Sequence, residues 1–285
     1  MFRTLNVLLK RNIMLFINDK KRVYSTFFAP IITVVIFILF GRQLFSNSIK
    51  SAETSANITQ ILHEFTNVSL LVGLLGITSF TSAISFSIFM VQDSEKKIFN
   101  DLLVAPIKSS TIRLSYLLVN IILNLIVSLV LFFILLIYMA FDKTFALFSA
   151  KKVFFVVLWI VFSVIMNSTF FTFVFSFLKN VATFSIISGA LSSVIGFFIG
   201  AFVPLSFLPS FLQFIASFIP ATQTTSLLKY IIFSDLSQFA NYSSQFKFTL
   251  ANLNISWWAS LIYCSIFSSL FIVLCSIISF KNNKN

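Results

Sequence analysis

Long apolar stretches separated by short polar ones set the pattern of this chain. Six runs stand out, at residues 23–45, 65–91, 114–141, 153–178, 181–203 and 257–280. Each holds about 20 residues or more, enough to cross a hydrocarbon core of about 30 Å as a helix. Two stretches depart from this. In residues 1–20, Phe2, Leu5, Leu9, Ile13 and Phe16 recur at helical spacing, with Arg3 and Lys10 off that stripe. That pattern predicts an amphipathic helix lying in the inner membrane interface. Residues 205–233 are apolar but are broken by Pro209 and Pro220, with Pro204 just before them. About 15 residues of helix reach only about 22 Å, too short to cross. The pattern predicts a re-entrant hairpin dipping in from the outer face, tolerated where it lies against protein or a water-filled cavity. The expected fold is an all-α polytopic membrane protein. It has six transmembrane helices, an N-terminal interfacial helix and a single transmembrane domain over residues 1–285.

Composition agrees with this reading. The chain is 58% hydrophobic and 10% charged, against about 25% charged in soluble domains. Its net charge of +12 raises nucleic acid as a partner. The basic residues, however, flank the apolar runs, as the positive-inside rule expects, so the partner is the lipid bilayer. An even number of spans puts both termini on one side. With the termini inside, 13 of the 20 basic residues fall inside and 7 outside. Lys151 and Lys152 run against that balance.

Candidate chemistry is sparse. Cys264 and Cys275 lie eleven residues apart on one run and cannot bridge each other. His63, the single histidine, sits beside Glu64 in the expected first outer loop. One histidine makes no metal cluster, and no nucleophile–base set is present, so the chain is expected to be non-catalytic. None of the six glycines precedes a lysine, so there is no P-loop to cradle phosphates. The run interiors carry no Asp, Glu, Lys, Arg or His, which disfavours an ion-coupled carrier.

The segment "MVQDSEKKIFNDLLVAPIKSSTIRL", residues 90–114, concentrates charge between two apolar runs. Burying its six charges between Asp93 and Lys108 would cost about 3 kcal/mol each at the bilayer centre, so it lies outside. Asp93 can cap a helix start. Asp93 with Lys97, and Lys97 with Asp101, form i,i+4 pairs. Ile98, Phe99, Leu102 and Leu103 form an apolar patch, and Pro106 stops the helix. Such a patch either docks on a partner or folds back on the protein's own inner surface.

Three stretches together resemble the membrane subunits of ABC-2 type transporters. They are "RNIMLFINDKKRVYSTFFAPIITVVIFILFG" (residues 11–41), the 90–114 segment with its acid, Leu102-Leu103 and Pro106, and "GAFVPLSFLPSFLQFIASFIPATQTTSLLKYIIF" (residues 200–233) with its spaced prolines. The likeness covers nearly the whole chain. It departs where many members carry Gly-Thr ahead of the acid and this chain has Phe99-Asn100.

The resemblance implies a permease subunit of a bacterial plasma membrane exporter, with both termini cytoplasmic. Two copies would form the pathway as a homodimer, above two separate ATPase subunits that carry ATP and Mg. Residues 93–106 would be the coupling helix, with Asp93, Lys97, Ile98, Phe99, Asp101, Leu102, Leu103 and Pro106 at the ATPase contact. The expected cargo is an amphipathic drug, peptide antibiotic or toxin. The rivals are export of a lipid-linked polysaccharide and, in another class, an ion-coupled secondary transporter.

Polar residues inside the runs are candidates for the pathway. Asn120, Asn124 and Ser128 share a face of the third run, Thr78, Ser82 and Ser85 follow one another in the second, and Asn167 lies in the fourth. Such residues also serve as interhelical glue. Ser188, Ser192, Gly196 and Gly200 place a small residue at every fourth position of the fifth run. They allow close helix packing, within the chain or, as the family implies, at a dimer seam.

Overall fold

The computed structural model describes residues 2–36, 39, 58–104, 107–141, 144–234, 248–250 and 253–277. Ten helices and one hairpin are used below: α1 (Phe2–Asn18), α2 (Lys20–Ile36), α3 (Ile58–Glu95), α4 (Ile98–Val104), α5 (Ser109–Phe141), α6 (Ala150–Phe175), α7 (Val181–Phe198), α8 (Ser210–Phe218), α9 (Pro220–Phe233), strands β1 (Phe248–Leu250) and β2 (Leu253–Ile255), and α10 (Trp257–Ile277). Five stretches are long and apolar enough to cross a membrane: Glu64–Glu95, Ser109–Phe141, Ala150–Phe175, Val181–Phe198 and Trp257–Cys275. The expected first span begins as α2. Beyond Ile36 it lies outside the described residues except for Leu39.

α3 forms the centre. Its 38 residues reach about 57 Å, so it projects beyond the hydrocarbon core. The helix begins well before the expected start of its span, so His63 belongs to it rather than to a loop. α5, α6, α7 and α9 all pack on α3. Two glycines of α3 permit close approaches to it. A Cβ at Gly73 would stand 2.7 Å from Ala201 Cβ, and one at Gly76 would stand 2.5 Å from Thr225 Cγ2.

The helix ends sort into two layers. In one layer the end of α3 meets α1 and the start of α5 through Asp93, Arg11 and Tyr116. There Glu95 Oε1 accepts from the Val181 amide at the start of α7 at 3.1 Å, and Arg113 Nη1 donates to Cys275 O near the end of α10 at 3.3 Å. In the opposite layer Phe65 stacks on Phe233, with ring centroids 4.9 Å apart. Tyr230 stacks there on Trp257. Lys152 Nζ donates to Ile232 O at 2.8 Å, capping the carbonyl end of α9. That contact gives Lys152 a structural role that the count of basic residues missed.

Stop signals act locally. Asn180 caps α7 by accepting from the amides of Ala182 (2.7 Å) and Thr183 (3.2 Å). α7 ends at Phe198, short of the expected 203. Gly200 has φ +68°, and the Ala201 amide reaches back to Gly196 O at 3.0 Å. This is a glycine-terminated Schellman turn. Pro220 then starts α9 without a lost hydrogen bond, because the first helical amide has no intrahelical partner. The region expected as a re-entrant hairpin thus holds a short 3₁₀ turn at Leu205–Phe207, then α8, then α9.

Three features go beyond the sequence reading. The all-α architecture carries one small hairpin, in which β1 and β2 pair antiparallel, Phe248 opposite Ile255. Gln223 ties that hairpin to the bundle, donating to Ser217 O and Thr249 O at 2.7 Å each and accepting from Ser260 Oγ at 3.1 Å. Second, the α1 stripe turns toward the protein's own helices. Leu8, Asn12 and Phe16 are buried, Leu9 and Ile13 pack on the same cluster, and the Phe16 ring lies edge-on to Phe86 at 5.7 Å. The face left open carries Val7, Met14 and Ile17 beside Arg3 and Lys10. Third, two cations treated as flanking charges, Arg113 and Lys229, are buried.

Candidate functional site

The charged segment is not one continuous helix. Asp93 belongs to the last turn of α3, so it does not start a new helix as its N-cap potential suggested. The break comes at Lys96 and Lys97, where Lys97 takes a left-handed backbone, φ 59°. Non-glycine residues rarely adopt that region. α4 then runs for seven residues, Ile98–Val104.

The partner of Asp93 is Arg11 rather than Lys97. Arg11 Nη1 lies 2.8 Å from Asp93 Oδ2, and the Tyr116 hydroxyl donates to the same oxygen. Asn12 Nδ2 donates to Ser115 Oγ at 3.3 Å. Burial works to lower the Arg11 pKa. The hydrogen bonds to Asp93 and Tyr116, with the nearby carboxylate charge, outweigh it and hold the guanidinium above its ordinary value. Asp93 therefore clamps α1 and α5 to the base of α3, directly above the turn that releases α4.

The apolar patch of α4 divides. Phe99 is buried, its ring 5.7 Å from Tyr116, and Leu102 packs against the same cluster. Ile98 is half-buried. Lys97, Asp101 and Val104 are exposed, Val104 at 88%. The backbone places Leu103 on α4, and Pro106 lies outside the described residues. Part of the patch thus anchors α4 to its own bundle, and the remainder faces outward.

A cavity of about 680 Å³ opens between α2, α3 and α7. Its lining includes Arg22, Ser25 and Thr26 from α2, Thr78, Ser82 and Ser85 from α3, and Ser185, Ser188, Gly189 and Ser192 from α7, with Phe202 beyond the helix end. Of the residues singled out in the sequence, Thr78, Ser82, Ser85, Ser188 and Ser192 come here. Gly196 does not: a Cβ there would stand 2.2 Å from the Phe202 ring. Gly200 terminates the helix. The four small residues therefore serve three distinct purposes along α7.

Asn120, Asn124, Ser128 and Asn167 are buried away from this cavity. Asn120 donates to Ala83 O (2.9 Å) and Ser87 Oγ (3.1 Å), and Asn124 to Ser79 O (2.9 Å) and Ser168 Oγ (3.3 Å). Ser128 donates to Asn124 Oδ1 (3.3 Å) and Asn167 to Ser79 Oγ (3.0 Å). They form a ladder joining α3, α5 and α6. Such interhelical bonds contribute on average about 0.6 kcal/mol each. The hydroxyls of α3 that face α2 and α7, rather than the asparagines, reach open space. Period alone did not separate the two faces, since both carry polar residues. Arg22 also entered the sequence reading only as a flanking charge.

Among the described residues, no group of three His, Cys, Asp or Glu side chains could hold a metal ion. The match to known proteins is at the family level. The family model for the ABC-2 type transporter matches residues 3–233. The chain belongs to this family. It is thus a multi-pass membrane permease subunit of an ABC transporter, a family that works with an ABC ATPase. A comparison with curated proteins found no match.

Proposed function

We propose that this permease exports amphipathic molecules from a bacterial cytoplasm or inner leaflet. It does so as two copies of this chain above two copies of a separate ATPase that binds ATP and Mg. The cavity between α2, α3 and α7 carries this reading. It is large enough for a drug-sized ligand, mixes hydroxyl and apolar walls, and opens beside α7, the least covered of the five described spanning helices. A second copy packed along α7 would enclose it. An ion-coupled carrier is the weaker reading, because no carboxylate lines the cavity among the described residues.

In this reading α4 is the lever. The outward residues Lys97, Asp101 and Val104 meet the ATPase, while Phe99 and Leu102 transmit its displacement to Tyr116 and the base of α3. The layer that holds α1 and α4 is cytoplasmic, together with both termini. The excess of basic residues supports that side.

Co-purification tests the lever. Val104→Asp is expected to leave thermal unfolding of the permease unchanged, since the side chain is exposed, and to release the ATPase and abolish ATP-driven transport. An unpartnered carboxylate buried in an apolar groove costs several kcal/mol, enough to lose a micromolar complex. Retention of both the ATPase and transport would exclude α4 as the docking element. Single-cysteine labelling at residue 97 from outside intact cells would overturn the topology.

A further inference from the structure

The cavity has a cation at one end and hydroxyls along its length. Arg22 is fixed on three sides. Its Nε lies 3.4 Å from Asp19 Oδ2, its Nη2 donates to Gln92 Oε1 at 3.2 Å, and its guanidinium carbon sits 4.7 Å from the centre of the Phe89 ring. Nη1 has no hydrogen-bond partner among the described residues. A guanidinium held this way keeps a donor for a ligand oxygen and loses little entropy in using it.

The hydroxyls divide by direction. Ser25, Thr26, Thr81, Ser185 and Ser188 donate to backbone carbonyls within the preceding turn. They therefore offer lone pairs to the cavity. Among the described residues Thr78, Ser82, Ser85 and Ser192 carry no such bond and can donate. The wall can satisfy esters, amides and hydroxyls. Among the described residues it supplies no counter-charge to an ammonium group. Asp19, the acid nearest Arg22, is not among the lining residues, and its side chain is 42% exposed.

Position adds to charge. Arg22 and Ile88 mark the end of the cavity nearest α1, and Ile77 and Phe202 the other end. From Ile77 to Ile88 the wall of α3 runs about 17 Å, a little over half the hydrocarbon thickness. With α3 crossing the membrane, Arg22 stands toward the α1 end of the span, and the mixed wall runs from there along the span's interior.

We propose that the cavity selects an amphiphile with a phosphate or carboxylate headgroup, seated with that group at Arg22 and its apolar body running toward Phe202. The proposal rests on the transporter reading and deepens it. Guanidinium nitrogens match phosphate and carboxylate oxygens in geometry and charge. A cationic head of the same size would meet Arg22 as a like charge.

The test uses the full chain in phosphatidylcholine nanodiscs and a photoreactive diazirine dodecyl phosphate. Labelled peptides are expected from α2, α3 and α7. Dodecyl phosphate should compete at least tenfold better than dodecyltrimethylammonium. Glycerol phosphate, the headgroup without a tail, should not compete; equal competition by it would make the ligand a soluble anion and overturn the proposal. Arg22→Gln should remove the tenfold preference, and Arg22→Lys should retain part of it because the charge remains. Asp19→Asn should increase it. The proposal fails if the ammonium probe competes as well as the phosphate, or if a folded Arg22→Gln protein labels like wild type. ATP-driven export of a cationic amphiphile without any phosphate preference would sink this inference and leave the exporter reading standing. Selective labelling without ATP-driven transport would do the reverse.

Discussion

α3 and α7 are both read as spans, and their most apolar stretches have equal mean hydropathy. Their surroundings are opposite. In α3, 83% of that stretch is buried inside the chain, and in α7 only 17%. α3 is enclosed by four other helices and uses Gly73 and Gly76 where Ala201 and Thr225 press against it. α7 leaves Ile186, Val194 and Phe197 uncovered, and nothing lies within 4 Å of a Cβ at Gly189. Hydropathy measures only the cost of leaving water. It does not separate a side chain that exchanges water for protein from one that exchanges it for lipid or for a second subunit.

Glycine substitutions break this comparison most directly. Gly76→Leu should have the largest effect, because even its Cβ meets Thr225 at 2.5 Å. Overpacking of this kind costs about 3 kcal/mol or more when the backbone must shift. Thermal unfolding in detergent should show the loss, with poor accumulation in membranes.

Asp93→Asn comes next. It removes the charge that holds Arg11 at the base of α3. Loss of a fully buried pair costs about 3–5 kcal/mol. The Arg11 side chain is 29% exposed, so solvent screening reduces the expected loss to about 1–3 kcal/mol. Hydrogen exchange should localise the change to α1 and the start of α5 and leave α9 protected. Uniform loosening of the bundle would show that the pair is not a local clamp.

Gly196→Ala should cost about 1–2 kcal/mol, because the new methyl group meets the Phe202 ring. Phe202→Leu should relieve that collision. A double-mutant cycle would show strong coupling if the small residue serves its own chain. Additive effects would return Gly196 to an intermolecular seam.

Gly189→Leu is the counterpart on α7 and should change unfolding least, by about 0.5 kcal/mol or less. Its effect should appear in cross-linking between two copies or in transport. A large loss of stability in the isolated subunit would mean that α7 is covered by something other than a partner or lipid.

The ordering of elements was legible in the sequence. Five of the six apolar runs located helices long and apolar enough to cross a membrane, Pro204, Pro209 and Pro220 marked the breaks around α8 and α9, and the charge between Asp93 and Lys108 marked where α3 gives way to α4 and α5. These features follow from local physics, namely backbone reach, proline geometry and the cost of burying charge. Contacts across the sequence were not legible. Arg11 and Asp93 stand 82 residues apart, and Asn120 and Thr78 look equally polar in a linear pattern although one joins helices and the other lines a cavity.

By itself the sequence determined that the chain is a polytopic membrane protein, where prolines interrupt its helices and, through its motifs, the family it resembles. Each of those properties rests on neighbouring residues and on the solvent around them. Only the tertiary structure decided that Phe99 and Leu102 anchor α4 inward while Val104 faces out, that Gly196 makes room for Phe202, and that Arg22 stands at the end of a hydroxyl-lined cavity. The physical reason is rotational. Hydropathy and period place a residue along a helix, but which side of that helix meets protein, lipid or open space depends on packing between segments far apart in the chain.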